Sequence, residues 1–340
     1  MASPRSAAIL ALTGGGVMAR FSTAVLESVQ ELRTPAYPEG DREASVAEAF
    51  DILAGTSAGA LICAGLAVGR SPSELSDLLE THGPLIFPTA GWRRNLRWVL
   101  SAKYDPEPLR DAVDVALQGE TPLLGDFQQT LAFMAIDETN GVPVVLSNAN
   151  PEHLKVPLHD AVLASASAPT YFPAHRIPSL GNRRFIDGGL FANAPDVGAL
   201  TILRNMHRSL QLDHLHVLSV GTTRDDAGSP FGDDHAGAGG ILPWAARPPA
   251  RLLKLAMRGT TDHAVDLMNS LALGDYIRLD AEMEGLELDS ATPEAMQKLA
   301  AAGGDAYEAL PGRDRERLKG FIRRRRHRDM SSSDADTELS

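Results

Sequence analysis

The chain has 340 residues, 44% of them hydrophobic, and a formal net charge of −12 at pH 7. This composition predicts a globular protein with a sizeable core, and the acidic balance argues against binding of nucleic acid polymers. The single cysteine, Cys63, excludes an internal disulfide, and its apolar surroundings predict a small buried side chain. With no secretory signal or membrane-spanning run evident, we expect a cytoplasmic protein whose contact with the inner membrane surface is peripheral.

Strands and helices alternate in the first part of the chain. The run AAILAL (7–12) predicts a buried strand, and residues 20–32 have helical spacing with one apolar side. After a second apolar run, ILAG (52–55), the small residues of 56–69 predict a helix that packs closely against a sheet. A further helix follows, with Ser71 or Ser73 as its N-cap.

The alternation continues further along the chain. Residues 131–150 predict two strands joined by a turn at 139–141, and 159–173 predict a short helix that Pro169 ends. Further strands and helices are predicted at RRFIDGGLFANAPDVGALTIL (183–203), HLHVLSVGTT (214–223), 249–273 and DYIRLD (275–280). Buried strands that alternate with helices predict an α/β sandwich around a mainly parallel sheet.

Three segments carry open interpretations. Residues 89–104 mix Trp, Leu and Val with Arg and Lys, as in an interfacial membrane helix or an ordinary surface helix. Residues 225–249, rich in Gly and Pro, predict a long loop. The segment 313–328 has nine Lys or Arg and two acidic residues, and either contacts anionic phospholipid or is a solvated helix end. We therefore expect one domain over 1–310 and a basic segment with a polar, disordered tail over 311–340.

One serine lies between two glycines at the junction of two apolar runs. Gly55-Thr56-Ser57-Ala58-Gly59 fits G-x-S-x-G, in which a nucleophilic serine is exposed on a strained turn between a strand and a helix. Side chains at Gly55 and Gly59 would collide with the neighbouring elements. The start of the following helix would also stabilise a developing negative charge. Ser57 is thus a candidate nucleophile, and the alternative is a simple helix cap.

A nucleophilic serine needs a base. All ten histidines of the chain follow Ser57, and none of the candidates among them lies in a distinctive turn: His175, His207, His214, His216, His235 and His263. Asp187 ends an apolar strand and precedes Gly188 and Gly189, so its carboxylate is expected at the edge of the sheet, where active sites of α/β folds lie. If Asp187 reaches Ser57, it accepts the hydroxyl proton directly and no histidine is required.

Three consecutive glycines follow the first predicted strand. Gly14, Gly15 and Gly16 let the backbone approach a substrate closely, and their N–H groups suit an oxyanion hole. The same stretch formally fits G-x-G-x-x-A, the fingerprint of dinucleotide-binding oxidoreductases. That alternative is remote because no strand ending in an acidic residue follows at the required distance of about 20 residues.

These motifs, in this order, resemble the patatin-like phospholipase family, and so do the flanking runs SASAPTYFP and IDGGLFANAP. The resemblance implies a three-layer α/β/α sandwich. It further implies a Ser–Asp dyad that hydrolyses acyl esters of membrane phospholipids without a metal or other cofactor. Ser57 would then be the nucleophile, Asp187 the base, and Gly14–Gly16 the oxyanion hole.

The glycine loop departs from the family pattern. Where the family commonly has a basic residue and then glycine, this chain has Met18 and Ala19, although the backbone N–H groups remain. A catalytically weak or silent relative that binds lipid or a partner is therefore the alternative.

A narrower resemblance rests on ILALTGGG, FANAPD, HLHVLSVGTT and LGDYIRLD. These runs are similar to bacterial patatin-like effectors of anti-phage defence. The resemblance implies activation by a cyclic oligonucleotide and attack on the cell's own membrane, with the loop at 225–249 as a gate or activator site.

Overall fold

The computed structural model describes residues 6–32, 45–88, 102–223 and 251–322, the last range without the side chains of its first two residues. Predictions for 89–101, for the loop 225–249 and for the tail after residue 322 lie outside these ranges. Within them, none of the helices combines the length and the apolar character that a membrane crossing requires.

The described strands form one sheet. Their bounds are β1 (Ala7–Leu12), β2 (Ile52–Thr56), β3 (Thr130–Asp137), β4 (Val142–Ser147), β5 (His175–Ile177), β6 (Arg183–Asp187), β7 (Leu215–Val220) and β8 (Asp275–Leu279). The strand order is β5-β6-β3-β2-β1-β7-β8, and β4 also pairs with β3. The neighbours from β3 through β2, β1 and β7 to β8 are parallel, whereas β4, β5 and β6 pair antiparallel.

Helices cover the sheet. They are α1 (Ala19–Glu31), α2 (Ala58–Ala67), α3 (Pro72–Ile86), α4 (Glu107–Ala116), α5 (Leu158–Ala166), α6 (Gly189–Ala192), α7 (Asp196–Met206), α8 (Arg251–Ser270), α9 (Pro293–Glu308) and α10 (312–322). Alternate residues of β1 enter two separate apolar clusters, Leu10 and Leu12 in one and Ile9 and Ala11 in the other. Because side chains alternate across a strand, the sheet has a core on each face, which confirms the α/β/α sandwich.

Local sequence signals explain the helices next to the site. The predicted apolar side of α1, Phe21, Val25, Leu26 and Val29, is fully buried. Ser71 is the N-cap of α3, where it forms a reciprocal capping box with Glu74. Cys63 is buried in α2, and burial raises the pKa of its thiol, so the prediction of an inert small side chain is confirmed.

The basic segment begins inside the folded body. In α10, Leu318, Phe321 and Ile322 are buried in the same core as α1 and β1. The ring of Phe321 packs edge-on against Phe50 and stacks on His216. The domain boundary at 310 stays a prediction, but the described residues beyond it pack onto the core.

Candidate active site

Two strand ends meet along one edge of β3. Strand β4 pairs with 132–137 and so occupies the other edge. On the shared edge, β2 ends with Thr56 opposite Met134, and the antiparallel β6 ends with Asp187 opposite Ala135. Since these partners are consecutive residues of β3, the register brings Asp187 next to the turn that begins at Ser57.

Ser57 occupies a strained turn between β2 and α2. Its φ of 55° and ψ of −123° lie in a region that costs a residue with a side chain about 1–3 kcal/mol. A Cβ on Gly55 would lie 2.4 Å from the carbonyl carbon of Gly59, and one on Gly59 would lie 2.3 Å from the carbonyl oxygen of Leu12. The collisions expected from the sequence are therefore present, and they are with backbone that cannot move aside.

A buried serine of α5 supports this turn. The Ser57 N–H donates to Ser165 Oγ at 3.0 Å, and the Ser165 hydroxyl donates to the carbonyl of Met134 at 2.7 Å. Ser165 thus joins the turn to β3 at the point where β2 ends. The sequence does not predict this contact, because no local pattern distinguishes Ser165 from Ser167.

Asp187 is the titratable group next to the serine. It is only 3% exposed, and burial raises the pKa of its carboxyl from 3.8 to about 6. Two hydrogen bonds oppose this rise, one from the Gly189 N–H at 2.7 Å and one with the Ser57 side chain. The carboxylate is therefore ionised at neutral pH and holds a pKa close to that pH, as suits a general base.

The glycine loop, Gly14–Gly16, passes close to Ser57. A Cβ on Gly14 would lie 2.7 Å from the side-chain oxygen of Asn193 and 3.2 Å from the Cβ of Ser57, so the glycine lets the loop pass close to the serine. The Gly14 N–H already donates to the carbonyl of Asn193 at 3.0 Å. Within the described ranges the N–H groups of Gly15 and Gly16 have no partner, and Gly16 lines the pocket above Ser57.

A remote segment holds the far end of the loop. The carbonyl oxygen of Leu288 accepts from the Val17 N–H at 3.0 Å. Gly16 has a φ of +55°, and a Cβ there would lie 2.3 Å from the same oxygen. This close contact ties the loop to residues that the sequence did not connect with the site.

An apolar pocket opens above Ser57 and Asp187. Counted with its opening to solvent, the empty space has a volume of about 770 Å³. The residues around it are almost all apolar, among them Leu61, Leu79, Ile86, Phe87, Leu109, Tyr171, Phe172, Leu190, Leu253 and Met257. Such a lining suits a hydrocarbon chain, with polar groups only at the end where the chemistry would occur.

None of the candidate histidines in the described ranges lines this pocket. His175 bonds Asp160 at 2.8 Å, and His216 bonds Asp275 at 2.6 Å. His207 and His214 line a separate pocket at the amino ends of β1 and β2, away from the end where Ser57 lies, and His263 is exposed on α8. His235 lies outside the described residues.

The basic side chain nearest the loop in sequence faces away from the pocket. Arg20 is buried and pairs with Glu80 of α3 at 2.8 Å, so it does not take the place of the basic residue that the family commonly has in the loop. Met18 is half-buried, and its sulfur accepts from the Thr223 hydroxyl at 3.5 Å. In the described ranges no cluster of three or more His, Cys, Asp or Glu could hold a metal.

An α/β/α sandwich with a serine on a strained turn, a buried aspartate beside it and an apolar pocket is typical of lipid ester hydrolases. The sequence profile described as "Patatin-like phospholipase" matches residues 10–199. The chain therefore belongs to the patatin-like phospholipase family and is a lipid ester hydrolase. This membership displaces the dinucleotide-binding alternative.

Similar proteins come from several bacteria. The "cGAMP-activated phospholipase" of Escherichia coli (strain TW11681) is 30% identical over 92% of each chain. The protein of the same description from Vibrio cholerae is 29% identical over 87% of this chain and 88% of its own. Among solved structures, VipD from Legionella pneumophila matches with a TM-score of 0.47 and 14% identity over 91% of this chain and 67% of that one.

Proposed function

We propose that the protein is a phospholipase of the A type that cleaves acyl esters of membrane phospholipids with a Ser57–Asp187 dyad. The observation that carries this proposal is the junction of β2 and β6 on β3, which sets the serine and the buried aspartate side by side. The absence of a histidine from the described lining of the pocket supports a dyad over a triad.

The first step is acylation of the serine. Asp187 accepts the proton of the Ser57 hydroxyl as the oxygen attacks the carbonyl carbon of the ester. The N–H groups of Gly15 and Gly16, together with the start of α2, stabilise the negative oxygen of the tetrahedral intermediate. When the intermediate collapses, the lysophospholipid leaves as an alcohol and takes the proton from Asp187.

The second step releases the fatty acid. A water molecule gives a proton to Asp187 and attacks the acyl carbon, and the loop N–H groups again stabilise the oxyanion. Collapse of this intermediate returns the proton to the oxygen of Ser57 and frees the fatty acid. In this scheme Gly14 shapes the loop and does not bind the oxyanion, because its own N–H is engaged.

Activation is the finer part of the proposal. Two relatives of comparable length are described as cGAMP-activated. We propose that a cyclic oligonucleotide also activates this protein, and that the active enzyme degrades the cell's own membrane from the cytoplasmic side during anti-phage defence.

Fatty-acid release from phosphatidylethanolamine–phosphatidylglycerol vesicles tests both parts. The samples are the wild type, Ser57→Ala, Asp187→Asn and, as a control, Ser28→Ala on α1, each with and without a panel of cyclic di- and trinucleotides that includes cGAMP. We expect release by the wild type and the control and none by the two dyad variants, with stimulation by one nucleotide.

Each other result has a distinct meaning. Full activity of either dyad variant would refute the dyad. A large loss on replacing His175, His207, His214 or His216 singly would favour a histidine as base. Release that no cyclic nucleotide changes would remove the activation proposal, and no release at all would favour the silent relative suggested by Met18.

A further inference from the structure

A largely enclosed arginine, with a side chain that is 11% exposed, reaches the base of the glycine loop from the opposite end of the chain. Arg278 lies on β8, and its guanidinium donates to the hydroxyl of Thr13 at 3.0 Å. The same terminal nitrogen donates to Ser219 on β7 at 2.8 Å, and the other pairs with Asp280 at 2.7 Å. One planar group thus joins the carboxyl ends of β1, β7 and β8.

Thr13 is the last residue before Gly14 that carries a side chain. The three glycines after it offer no side-chain atom by which the loop could be held. Their described attachments are hydrogen bonds from the backbone, such as the one from Gly14 to Asn193. The hydroxyl of Thr13 is therefore the side-chain contact that fixes where the loop leaves β1, in addition to the Thr13 N–H bond to Val220 at 3.0 Å.

Arg278 does not simply replace the positive charge that Met18 lacks. Its partner Asp280 offsets the charge directly, and the carboxylate of Asp196, which is fully buried, also acts on Arg278. The ion pair with Asp280 and the influence of Asp196 therefore offset the positive charge that Arg278 could direct at an oxyanion. Arg278 therefore contributes mainly through the N–H donors of its planar guanidinium, whose arrangement a lysine would not reproduce.

We propose that Arg278 is a positioning residue for the oxyanion hole: through the Thr13 hydroxyl it fixes the glycine loop so that the Gly15 and Gly16 N–H groups face the reacting oxygen. This inference rests on the proposed function. Donors in an oxyanion hole work only when they are already in place, and a displacement of about 1 Å can cost about 100-fold in rate.

Two conservative substitutions at Thr13 test the hydrogen bond that its hydroxyl accepts from Arg278. Thr13→Val keeps the shape and removes the acceptor, whereas Thr13→Ser keeps the hydroxyl. With a soluble p-nitrophenyl ester we expect Thr13→Val to lower kcat about 10- to 100-fold while KM changes less than about twofold. Thr13→Ser should retain most of the wild-type kcat. Thr130→Val, a buried threonine at the other end of the sheet, is the matched control and should be unaffected.

A second variant tests the arginine itself. Arg278→Lys keeps a charge beside Asp280 but cannot also hold Thr13, so its kcat should fall as in Thr13→Val. If the two residues act through one contact, the double variant should be no slower than the slower single variant. Thermal unfolding of every variant separates a displaced loop from an unfolded chain.

The outcomes are distinct. A wild type that lacks esterase activity, or a Ser57→Ala variant that keeps it, would overturn the proposed function rather than this inference. With those controls in order, a Thr13→Val enzyme with wild-type kcat would overturn the positioning role. So would a loss confined to KM, or losses that add in the double variant.

Discussion

The turn that carries Ser57 and the groups that would activate it differ in how far apart their residues lie in the sequence. Gly55, Ser57 and Gly59 lie within one run of five residues, and a Cβ on Gly55 would meet Gly59 of the same turn, although Gly59 itself packs against Leu12 of β1. Asp187 and the glycine loop reach the serine only because remote elements hold them, β3 in one case and the segments around Asn193, Leu288 and Arg278 in the other. The motif that carries the nucleophile is therefore one short run, supported by β1 and Ser165, whereas the groups that activate it come entirely from remote segments.

We therefore expect substitutions in the two regions to have different effects, one on stability and the other on the rate of catalysis. A change in the serine turn meets rigid backbone and should cost stability, because nothing nearby can move to accommodate it. A change at Gly15 of the loop meets the side chain of Thr222 and should cost mainly rate, because the loop can shift while the rest of the fold stays intact; Gly16, which faces the backbone of Leu288, is the exception.

The largest expected effect is that of Gly59→Ala. The new Cβ would lie 2.3 Å from the carbonyl oxygen of Leu12, so the free energy of unfolding should fall by about 3 kcal/mol or more. Denaturant unfolding measures this change. Gly304→Ala in α9, where a Cβ meets nothing within 4 Å, is the control and should gain up to about 1 kcal/mol. If Gly59→Ala were as stable as the wild type, the serine turn would not be more sensitive than the glycine loop to an added side chain.

Gly15→Ala tests the loop side of the comparison. The φ of Gly15, −175°, lies outside the left-handed region, and the three atoms nearest to a new Cβ all belong to the side chain of Thr222, the nearest at 2.6 Å. We expect the free energy of unfolding to change far less than in Gly59→Ala, while kcat falls about 100-fold as the oxyanion donors move. Parallel ester hydrolysis and unfolding measurements check both parts, and an unstable but fully active variant would reverse the prediction.

Asp187→Asn should separate stability from activity. The pKa of Asp187 rises from 3.8 to about 6 on folding, so the folded state binds its proton more tightly and the native protein loses stability as the pH rises through this range. At pH 8 the variant should exceed the wild type by about 3 kcal/mol in free energy of unfolding, although it is inactive. The gap should shrink as the pH falls towards 4. Asp213→Asn, whose side chain is 73% exposed, should show no such gap.

The smallest predicted effect is on the pH dependence of catalysis. Because the base must be ionised, kcat/KM for a neutral ester should rise about tenfold per pH unit below a pKa near 6 and then level off. His263→Asn, on the exposed side of α8, should leave this profile unchanged. If the rise of kcat/KM instead gave a pKa near 4, burial would not raise the pKa of Asp187 in the free enzyme.

Much of the fold follows from local patterns. The apolar side of α1, the N-cap at Ser71 and the hairpin turn at 139–141 all lie where the spacing and the residue types predict them. These features depend on contacts between residues near in sequence, so a single chain carries the information. The strand at 175–177 and the helix at 107–116 were not predicted, since neither has a distinctive pattern.

The candidate site, too, has residues that the sequence predicts and residues that it does not. The motif around Ser57 was readable because its glycines answer a local steric need. The location of Asp187 was expected at the sheet edge, but β6 is antiparallel and reaches Ser57 by meeting β2 end to end on β3. Ser165 and Arg278 were not assigned, because their contacts with the site join segments that no spacing rule relates.

By itself, the sequence determined the class of fold, the strained serine turn, and the residue types that a Ser–Asp dyad and a glycine loop require. Only the tertiary structure decided that Asp187 lies buried beside Ser57, which of the glycine N–H groups are free, and what holds the loop. The physical reason is that sterics and helix capping act between neighbours in sequence. Strand register, desolvation and hydrogen bonds between distant segments exist only once the whole sheet has formed.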